Sequence, residues 1–476
     1  MRASIRIDPR SPMALHRQIY DAWREAILGG RFTGGERLPS SRELAARLGT
    51  SRSTVTQAYD QLIAEGYLET ARGAGTFVSA ELPDCLCRPD SVPSARRSSA
   101  AAIVLSALGR RLEEDYEHPR PRPGFIRFSQ LTPDLDEFPF PLWHRSLNRQ
   151  LRRGRRELFD YARDAAGHLP LREQIAAYVG RSRAVCCNAD QVAVLSGSQQ
   201  ALDFAVRLLI DPGDPVAFEN PGYLGTRRVF EACGARILPV PVDAEGLVVD
   251  ALDDRAKLVC VTPSHQFPTG VSLSLPRRLA LLEWARRRGA VIIEDDYDSE
   301  FRYQGPPLPA LQGLVDEAPV IYCGSFSKVM FPGLRVGYAV LPRAMVPPFR
   351  RLKWLSDRHG PMLEQGALTD FLAEGHLERH IRRMRRLYSA RRQVLVDALA
   401  SGLGNSAQIL GDPAGMHVMV RFDDPETGAR AERNKVQLID AGAYYLDDAP
   451  GSAFVMGFAS LGERAIREGV RRLVAR

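Results

Sequence analysis

Two patterns in the sequence predict its fold class. Three short helical periods closed by an alternating hairpin predict an N-terminal winged helix-turn-helix, mainly α with a β-wing. Strand-length apolar runs alternating with helices then predict an α/β body with a smaller C-terminal α+β lobe. A length of 476 residues exceeds one ordinary domain and has room for both.

Residues 11–79 carry the first pattern. Leu15, Ile19, Trp23, Ile27 and Leu28 recur at helical spacing and stop at Gly29-Gly30. Leu38-Pro39-Ser40-Ser41 opens a short helix with a serine able to cap it, and Gly49 ends it. Ser51-Arg52-Ser53-Thr54 starts a third helix with Val55, Tyr59, Leu62 and Ile63 as its apolar stripe. Tyr67–Thr70 and Thr76–Val78 alternate like two strands, with Arg72-Gly73-Ala74-Gly75 as the turn.

Residues 80–124 hold six prolines and a Ser/Ala/Arg stretch, and read as a linker with one short amphipathic helix around 103–116. From about 125 the second pattern begins. Strands are expected at 192–195, 216–218, 237–240, 258–261, 291–293, 320–323 and 338–341, with helices at 171–183, 199–210, 222–233 and 276–288. Such alternation implies a mostly parallel sheet covered on both faces. A long helix follows through Leu377, Ile381, Met384 and Tyr388, and about 360–476 forms the small lobe.

Composition excludes several classes. Apolar residues make up 45% and charged residues 25%, a globular profile, and no run approaches the roughly 18 apolar residues of a membrane span. The start, MRASIRIDPRSP, has no apolar core of a signal peptide. Seven scattered cysteines without C-x-x-C pairs suit neither a disulfide scaffold nor a structural zinc site, so no metal and a reducing, cytoplasmic setting are expected. The net charge of +7 permits nucleic acid without arguing for it. Only four of the 64 basic residues are lysines: Lys257, Lys328, Lys353 and Lys435.

Ligands of an open α/β sheet sit beyond the carboxyl ends of its strands, so those ends are where chemistry is sought. After strand 192–195 comes Ser196-Gly197-Ser198-Gln199-Gln200, a small-residue turn into a helix whose N–H groups suit a phosphate. After 291–293 comes Glu294-Asp295-Asp296-Tyr297, and after 320–323 comes Gly324-Ser325-Phe326-Ser327-Lys328, with Arg335 seven residues on. An amine, a carboxylate and a phosphate cradle are the set that pyridoxal 5′-phosphate requires: a Schiff-base lysine, a partner for the ring nitrogen, and an anion site.

Those residues carry a resemblance. Residues 157–345 resemble the large domain of fold-type I aminotransferases, and Tyr322–Tyr338 closely resembles the cofactor-lysine segment of aminotransferase-like regulators. Residues 11–79 resemble the GntR-type DNA-binding domain through Leu38-Pro39-Ser40-Ser41-Arg42, Ser51-Arg52-Ser53-Thr54-Val55 and Arg72–Val78. The combination is identified as the MocR subfamily of GntR-family regulators, with 125–476 as the aminotransferase-like domain. By that resemblance Lys328 holds the cofactor, Asp295 pairs with its ring nitrogen, and Tyr297 reaches its ring hydroxyl. Ser198, Gln199, Ser325 and Arg335 bind its phosphate, and Tyr223 stacks on its ring. Tyr161 is a further candidate, across a dimer interface.

Two positions depart from the aminotransferase pattern. Phe267 stands where an asparagine usually precedes Pro-Thr-Gly; the nearby His265 either compensates or simply packs or caps. Val455, in Phe454-Val455-Met456-Gly457-Phe458, stands where an arginine usually binds the substrate α-carboxylate, and an isopropyl group cannot replace a bidentate guanidinium.

In the head, the resemblance and the placement of the third helix give Ser51, Arg52, Ser53 and Thr54 to base edges and phosphates, with Arg42 and the wing's Arg72 and Gly73 adding contacts. Residues 1–80 carry 11 arginines against 8 acids, so placed contacts and two heads, rather than bulk charge, must supply affinity. The basic run Arg379–Arg386 could be a second DNA site, but its helical apolar spacing reads as the solvated face of a helix. The expectation is a cytoplasmic, head-to-tail homodimeric regulator. It binds double-stranded promoter DNA and senses pyridoxal phosphate or an amine or amino-acid effector, without a membrane. The alternative is an active aminotransferase with an autoregulatory DNA-binding head. The intact Lys328, Asp295 and Arg335 favour that alternative; Val455 and Phe267 count against it.

Overall fold

In the computed structural model, the N-terminal helices form where the apolar spacing places them. Helix α1, Leu15–Leu28, buries Ile19, Tyr20, Trp23, Ala26 and Ile27, and the Trp23 ring lies 5.0 Å from Phe32 and 6.4 Å from Tyr59. Helix α2, Ser41–Leu48, starts where Ser40 accepts the Glu43 N–H at 3.2 Å and ends at Gly49, whose φ of 64° suits glycine. Helix α3, Arg52–Ala64, is capped in the same way by Ser51, which accepts the Thr54 N–H at 3.2 Å. Strands β1, Leu68–Ala71, and β2, Gly75–Val78, pair antiparallel from Leu68↔Val78 to Ala71↔Gly75. The structure describes residues 5–71, 74–83, 103–112, 122–129, 131–447, 449 and 451–475; the expected contacts at Arg72 and Gly73 lie outside the described residues.

The chain divides into two units, Met1–Val104 and Leu105–Arg476. At the start of the second, the expected amphipathic helix is shorter and solvated: it spans Ala107–Arg111, and Leu105, Leu108 and Leu112 are all exposed. Residues 113–116 lie outside the described residues.

Eight strands among the described residues form the main sheet. They are β3 Val192–Leu195, β4 Pro215–Asn220, β5 Arg236–Asp243, β6 Gly246–Leu247, β7 Leu258–Val261, β8 Val291–Asp296, β9 Val320–Ser325 and β10 Gly337–Val340. Their order is β3-β10-β9-β8-β7-β4-β5-β6. The inner pairs β9–β8, β8–β7, β7–β4 and β4–β5 are parallel, while β10 runs antiparallel to both its neighbours. Helices cover the sheet because parallel strands need crossovers. Those used below are α4 Leu169–Arg183, α5 Ser198–Leu209, α6 Leu224–Cys233, α7 Leu275–Arg288 and the long α8 His376–Leu403. Two apolar clusters flank the sheet, one around Phe204, Phe218 and Phe349, the other around Leu281, Trp284 and Ile292.

The small lobe is an antiparallel sheet of β11 Ala407–Leu410, β12 His417–Phe422, β13 Ile439–Asp440 and β14 Ser452–Gly457, in the order β11-β12-β14-β13. One expectation needs correction. The acidic run after residue 293 does not follow its strand: β8 continues through Asp296. Period-2 alternation therefore separates these acids. Glu294 accepts N–H groups of Leu311 and Gln312, and Asp296 pairs with Arg183 and Tyr322, whereas Asp295 turns to the cavity described next.

Candidate cofactor pocket and nucleic-acid interface

A cavity of about 350 Å³ opens beyond the carboxyl ends of β3, β8 and β9. All eight residues read from the sequence as cofactor ligands line it: Ser198, Gln199, Tyr223, Asp295, Tyr297, Ser325, Lys328 and Arg335. They come from five separate stretches, brought together because parallel strands end on one edge of the sheet.

Lys328 lies three residues past β9, and its Nζ donates to the Leu131 carbonyl at 2.6 Å. Burial lowers this amine below its ordinary 10.5, against the pull of Asp298 and Asp295, which favours the nucleophilic neutral form. Asp295 is 4% exposed, and its Oδ1 has no hydrogen-bond partner among the described residues. Burial, then the charge of Asp296, pushes its carboxyl up to about 7, against the pull of Lys328. A buried carboxylate oxygen left without a donor is costly, and a protonated ring nitrogen would satisfy it.

The anion cradle is built from backbone. Gly197 precedes α5 with φ 124°, and no side chain caps the helix, so its first N–H groups stay open to the cavity. A Cβ at Gly197 would lie 3.2 Å from an Arg335 terminal nitrogen, so glycine lets the guanidinium approach the helix start. Arg335 itself sits in the left-handed region at φ 52°. Ser325 Oγ accepts the Ser327 N–H at 3.2 Å, which orients it at the end of β9. Gln199 lines the cavity but donates from Nε2 to the Gly225 carbonyl at 3.1 Å.

Phe267 is 7% exposed and forms the hub of the aromatic wall: Tyr223 at 5.6 Å, Tyr444 at 4.9 Å and Tyr297 at 6.1 Å all meet it edge-on. The open question over His265 resolves into a network. Tyr297 Oη donates to the His265 carbonyl at 2.9 Å and lies 3.0 Å from its Nδ1, and that nitrogen is 3.1 Å from both Asp298 oxygens. His265 thus acts behind Tyr297 rather than lining the cavity. Burial keeps the Tyr297 hydroxyl well above its ordinary value, so it is a neutral donor.

Several lining residues had no signal in the sequence. Leu131 and Thr132 come from almost 200 residues before Lys328; Met416, His417 and Tyr444 come from the small lobe. Asp298 could have been found as the second carboxylate of Asp-Tyr-Asp. Burial lowers His417 to about 3, leaving a neutral ring that donates to the Pro268 carbonyl at 3.2 Å. Tyr161 is 77% exposed and outside this lining, beside His359 and Arg358. Val455 is fully buried on β14 in a cluster with Met419, Ala441 and Ala453, against which Leu131 and Tyr444 pack.

In the head, Arg42, Ser51, Arg52 and Ser53 are exposed and Thr54 is half-buried. The Ser51 oxygen is engaged in the cap and 2.8 Å from both Ser53 Oγ and Thr54 Oγ1, and Arg52 Nε donates to Ser41 Oγ at 3.3 Å. A shallow groove on α3 adds Thr56, Gln57 and Asp60 to Arg52 and Ser53. The signal for these was the polar stripe opposite Val55, Tyr59 and Leu62.

Comparison with known proteins agrees with both halves. Residues 131–470 match the family described as aminotransferase class I and II, and residues 15–78 match bacterial regulatory proteins of the gntR family. A "Probable rhizopine catabolism regulatory protein MocR" of Rhizobium meliloti is 37% identical over 98% of this chain and 94% of its own length. The "HTH-type pyridoxine biosynthesis transcriptional regulator PdxR" of Corynebacterium glutamicum is 31% identical over 97% and 96%. Among solved structures, the α-aminoadipate aminotransferase LysN of Thermus thermophilus, complexed with N-(5′-phosphopyridoxyl)-L-leucine, superposes with a TM-score of 0.68 at 32% identity. It covers 74% of this chain and 92% of its own.

Fold and cavity therefore define a transcriptional regulator whose DNA-binding head is fused to an aminotransferase-type body. The chain belongs to the MocR-like regulators of the GntR family. Pyridoxal phosphate is the cofactor of this body, and the unpartnered Asp295 oxygen, the open helix start beside Arg335 and the Lys328 amine fit it. When bound, it supplies a reactive carbonyl and an electron-withdrawing ring. No helix among the described residues is long and apolar enough to cross a membrane.

Proposed function

We propose that this regulator reads promoter DNA with Arg42, Arg52, Ser53 and the wing, and reports the state of pyridoxal phosphate held in the cavity. Residues 11–79 act as the head, 80–124 as the linker and 125–476 as the sensing body, in a cytoplasmic head-to-tail homodimer. Lys328 forms the Schiff base, Asp295 takes the ring nitrogen, and Tyr297, backed by His265 and Asp298, takes the ring hydroxyl. Tyr223 covers the ring; Ser198, Gln199, Ser325, Arg335 and the α5 start hold the phosphate. The observation that carries this reading is the convergence of all eight residues on one cavity that contains an unpartnered buried carboxylate oxygen.

The walls also indicate the effector. Arg335, beside Gly197, is the one arginine among the described lining residues; Leu131, Phe267, Met416 and Tyr444 are among the lining residues, and Leu131 and Tyr444 pack against the buried cluster that holds Val455. A carboxylate there would be desolvated without a cation. The effector is therefore pyridoxal phosphate itself or an amine lacking a carboxylate. DNA affinity titrated with cofactor alone, with amines and with amino acids tests this: a response only to amino acids overturns it. A visible absorption band that persists in Lys328→Ala would overturn the lysine assignment. The enzyme alternative retains the intact Lys328, Asp295 and Arg335; steady conversion of an amino acid to its keto acid would establish it over the regulator-only reading.

A further inference from the structure

A second cavity, of about 360 Å³, shares no lining residue with the first. It lies between α4, the helical turn Ser299–Phe301 and α8, and two arginines of the basic run 379–386 line it. Arg382, Arg383 and Arg386 are exposed, as a solvated face requires, but Arg382 and the half-buried Arg385 also line this cavity.

Its charges do not balance. Arg183 is committed to Asp296 at 2.7 Å and to the Ser264 hydroxyl and Leu308 carbonyl. Four further guanidinium groups, on Arg181, Arg302, Arg382 and Arg385, face two carboxylates, Glu300 and Glu378. Glu300 already accepts the Tyr178 hydroxyl at 2.8 Å. Arg385 spends its Nε on the Glu300 carbonyl at 2.8 Å, and Arg382 its Nε on the Glu378 carbonyl at 3.4 Å; their terminal nitrogens have no partner among the described residues. Arg302 reaches Ser272 Oγ at 3.2 Å with one terminal nitrogen, which also pairs with Asp412 at 3.7 Å outside the cavity lining, while its buried Nε has no partner among the described residues. Glu378 accepts Arg181 at 3.3 Å on one oxygen, and its other oxygen is buried and equally without a donor.

Unmet donors and an unmet acceptor in one cavity define a ligand with both complements. We propose that this cavity binds a small organic acid that also carries a hydroxyl or amino donor. Its acid group lies against Arg302, Arg382 and Arg385, and its donor against Glu378. Guanidinium groups suit a planar carboxylate or a phosphate through paired N–H bonds. Ile381 and Pro307 supply the apolar wall for the carbon skeleton. The cavity also shares Arg183 with the charge pair beside Asp295, so a bound acid would sit one residue contact away from the cofactor's strand.

The probe is L-malate, a hydroxy acid without an amine and so unable to react at Lys328. Calorimetric titration of the full chain should give saturable binding, at least tenfold weaker in both Arg385→Gln and Arg382→Gln. Arg382 is exposed, so its variant tests the cavity even if Arg385→Gln fails to fold. Succinate, which lacks the hydroxyl, should bind more weakly than malate. No saturable heat, affinity unchanged in Arg382→Gln, or binding lost in Lys328→Ala would overturn the proposal. Succinate binding as tightly as malate would overturn the role given to Glu378.

Discussion

Arg183 Nε meets Asp296 Oδ2 at 2.7 Å, with the two side chains only 5% and 3% exposed. This pair fixes the end of α4 against β8 one residue from Asp295. Asp296 also accepts the Tyr322 hydroxyl at 2.6 Å, so three elements close on one carboxylate. Asp296→Ala would strand a buried guanidinium, and the expected loss of stability is about 3–5 kcal/mol by denaturant unfolding. Arg183→Met with Asp296→Leu should recover a large part of it, because the pair's charges vanish together.

The buried Asp295 makes a pH prediction. Its carboxyl is raised from 3.8 to about 7 in the cofactor-free chain, so the folded state holds the proton more tightly than the unfolded state. The stability from this proton is fully present below about 3.8 and is lost as pH rises towards 7. Glu219, Glu294 and Glu300 are raised to about 7 as well, chiefly by burial, and share the trend. The melting temperature of cofactor-free wild type should therefore fall more steeply between these limits than that of Asp295→Asn. Equal slopes would contradict the assignment.

Phe267 occupies the place of an asparagine by packing rather than hydrogen bonding. Its ring sits 5.2 Å from His417 as well as against three tyrosines. Phe267→Ala should cost about 3–5 kcal/mol, measured by denaturant unfolding, and should weaken cofactor binding, measured by titrating the visible band.

The head separates two uses of one helix start. Ser51→Ala removes a cap and should lower the head's stability by about 1 kcal/mol. Arg52→Ala should leave stability within about 0.5 kcal/mol, because the side chain is exposed. If Arg52 meets a phosphate, the variant weakens DNA binding evenly across sequences and reduces the salt slope by about 1; if it meets a base, specificity relaxes at one position. Fluorescence anisotropy against operator variants at several salt concentrations distinguishes these.

The sequence by itself determined the order of elements and the main chemical groups. Apolar periodicity placed α1 to α3 and the strands β3 to β5 and β7 to β10 to within a few residues, because burial of one face is a local signal, whereas the two-residue β6 gave no such signal. Lys328, Asp295 and Arg335 were legible because each lies at or just beyond a strand end, where an α/β sheet concentrates its ligands. What only the tertiary structure decided is which distant groups meet. Leu131 reaches Lys328, His265 stands behind Tyr297, and Arg385 on α8 reaches the Glu300 carbonyl. None of these follows from spacing, since each depends on how the sheet, the long helix and the small lobe pack. The length of β8 was likewise a tertiary outcome. Its acids continue the strand because Arg183, Tyr322 and the Leu311 N–H satisfy them on one face, leaving Asp295 alone on the other.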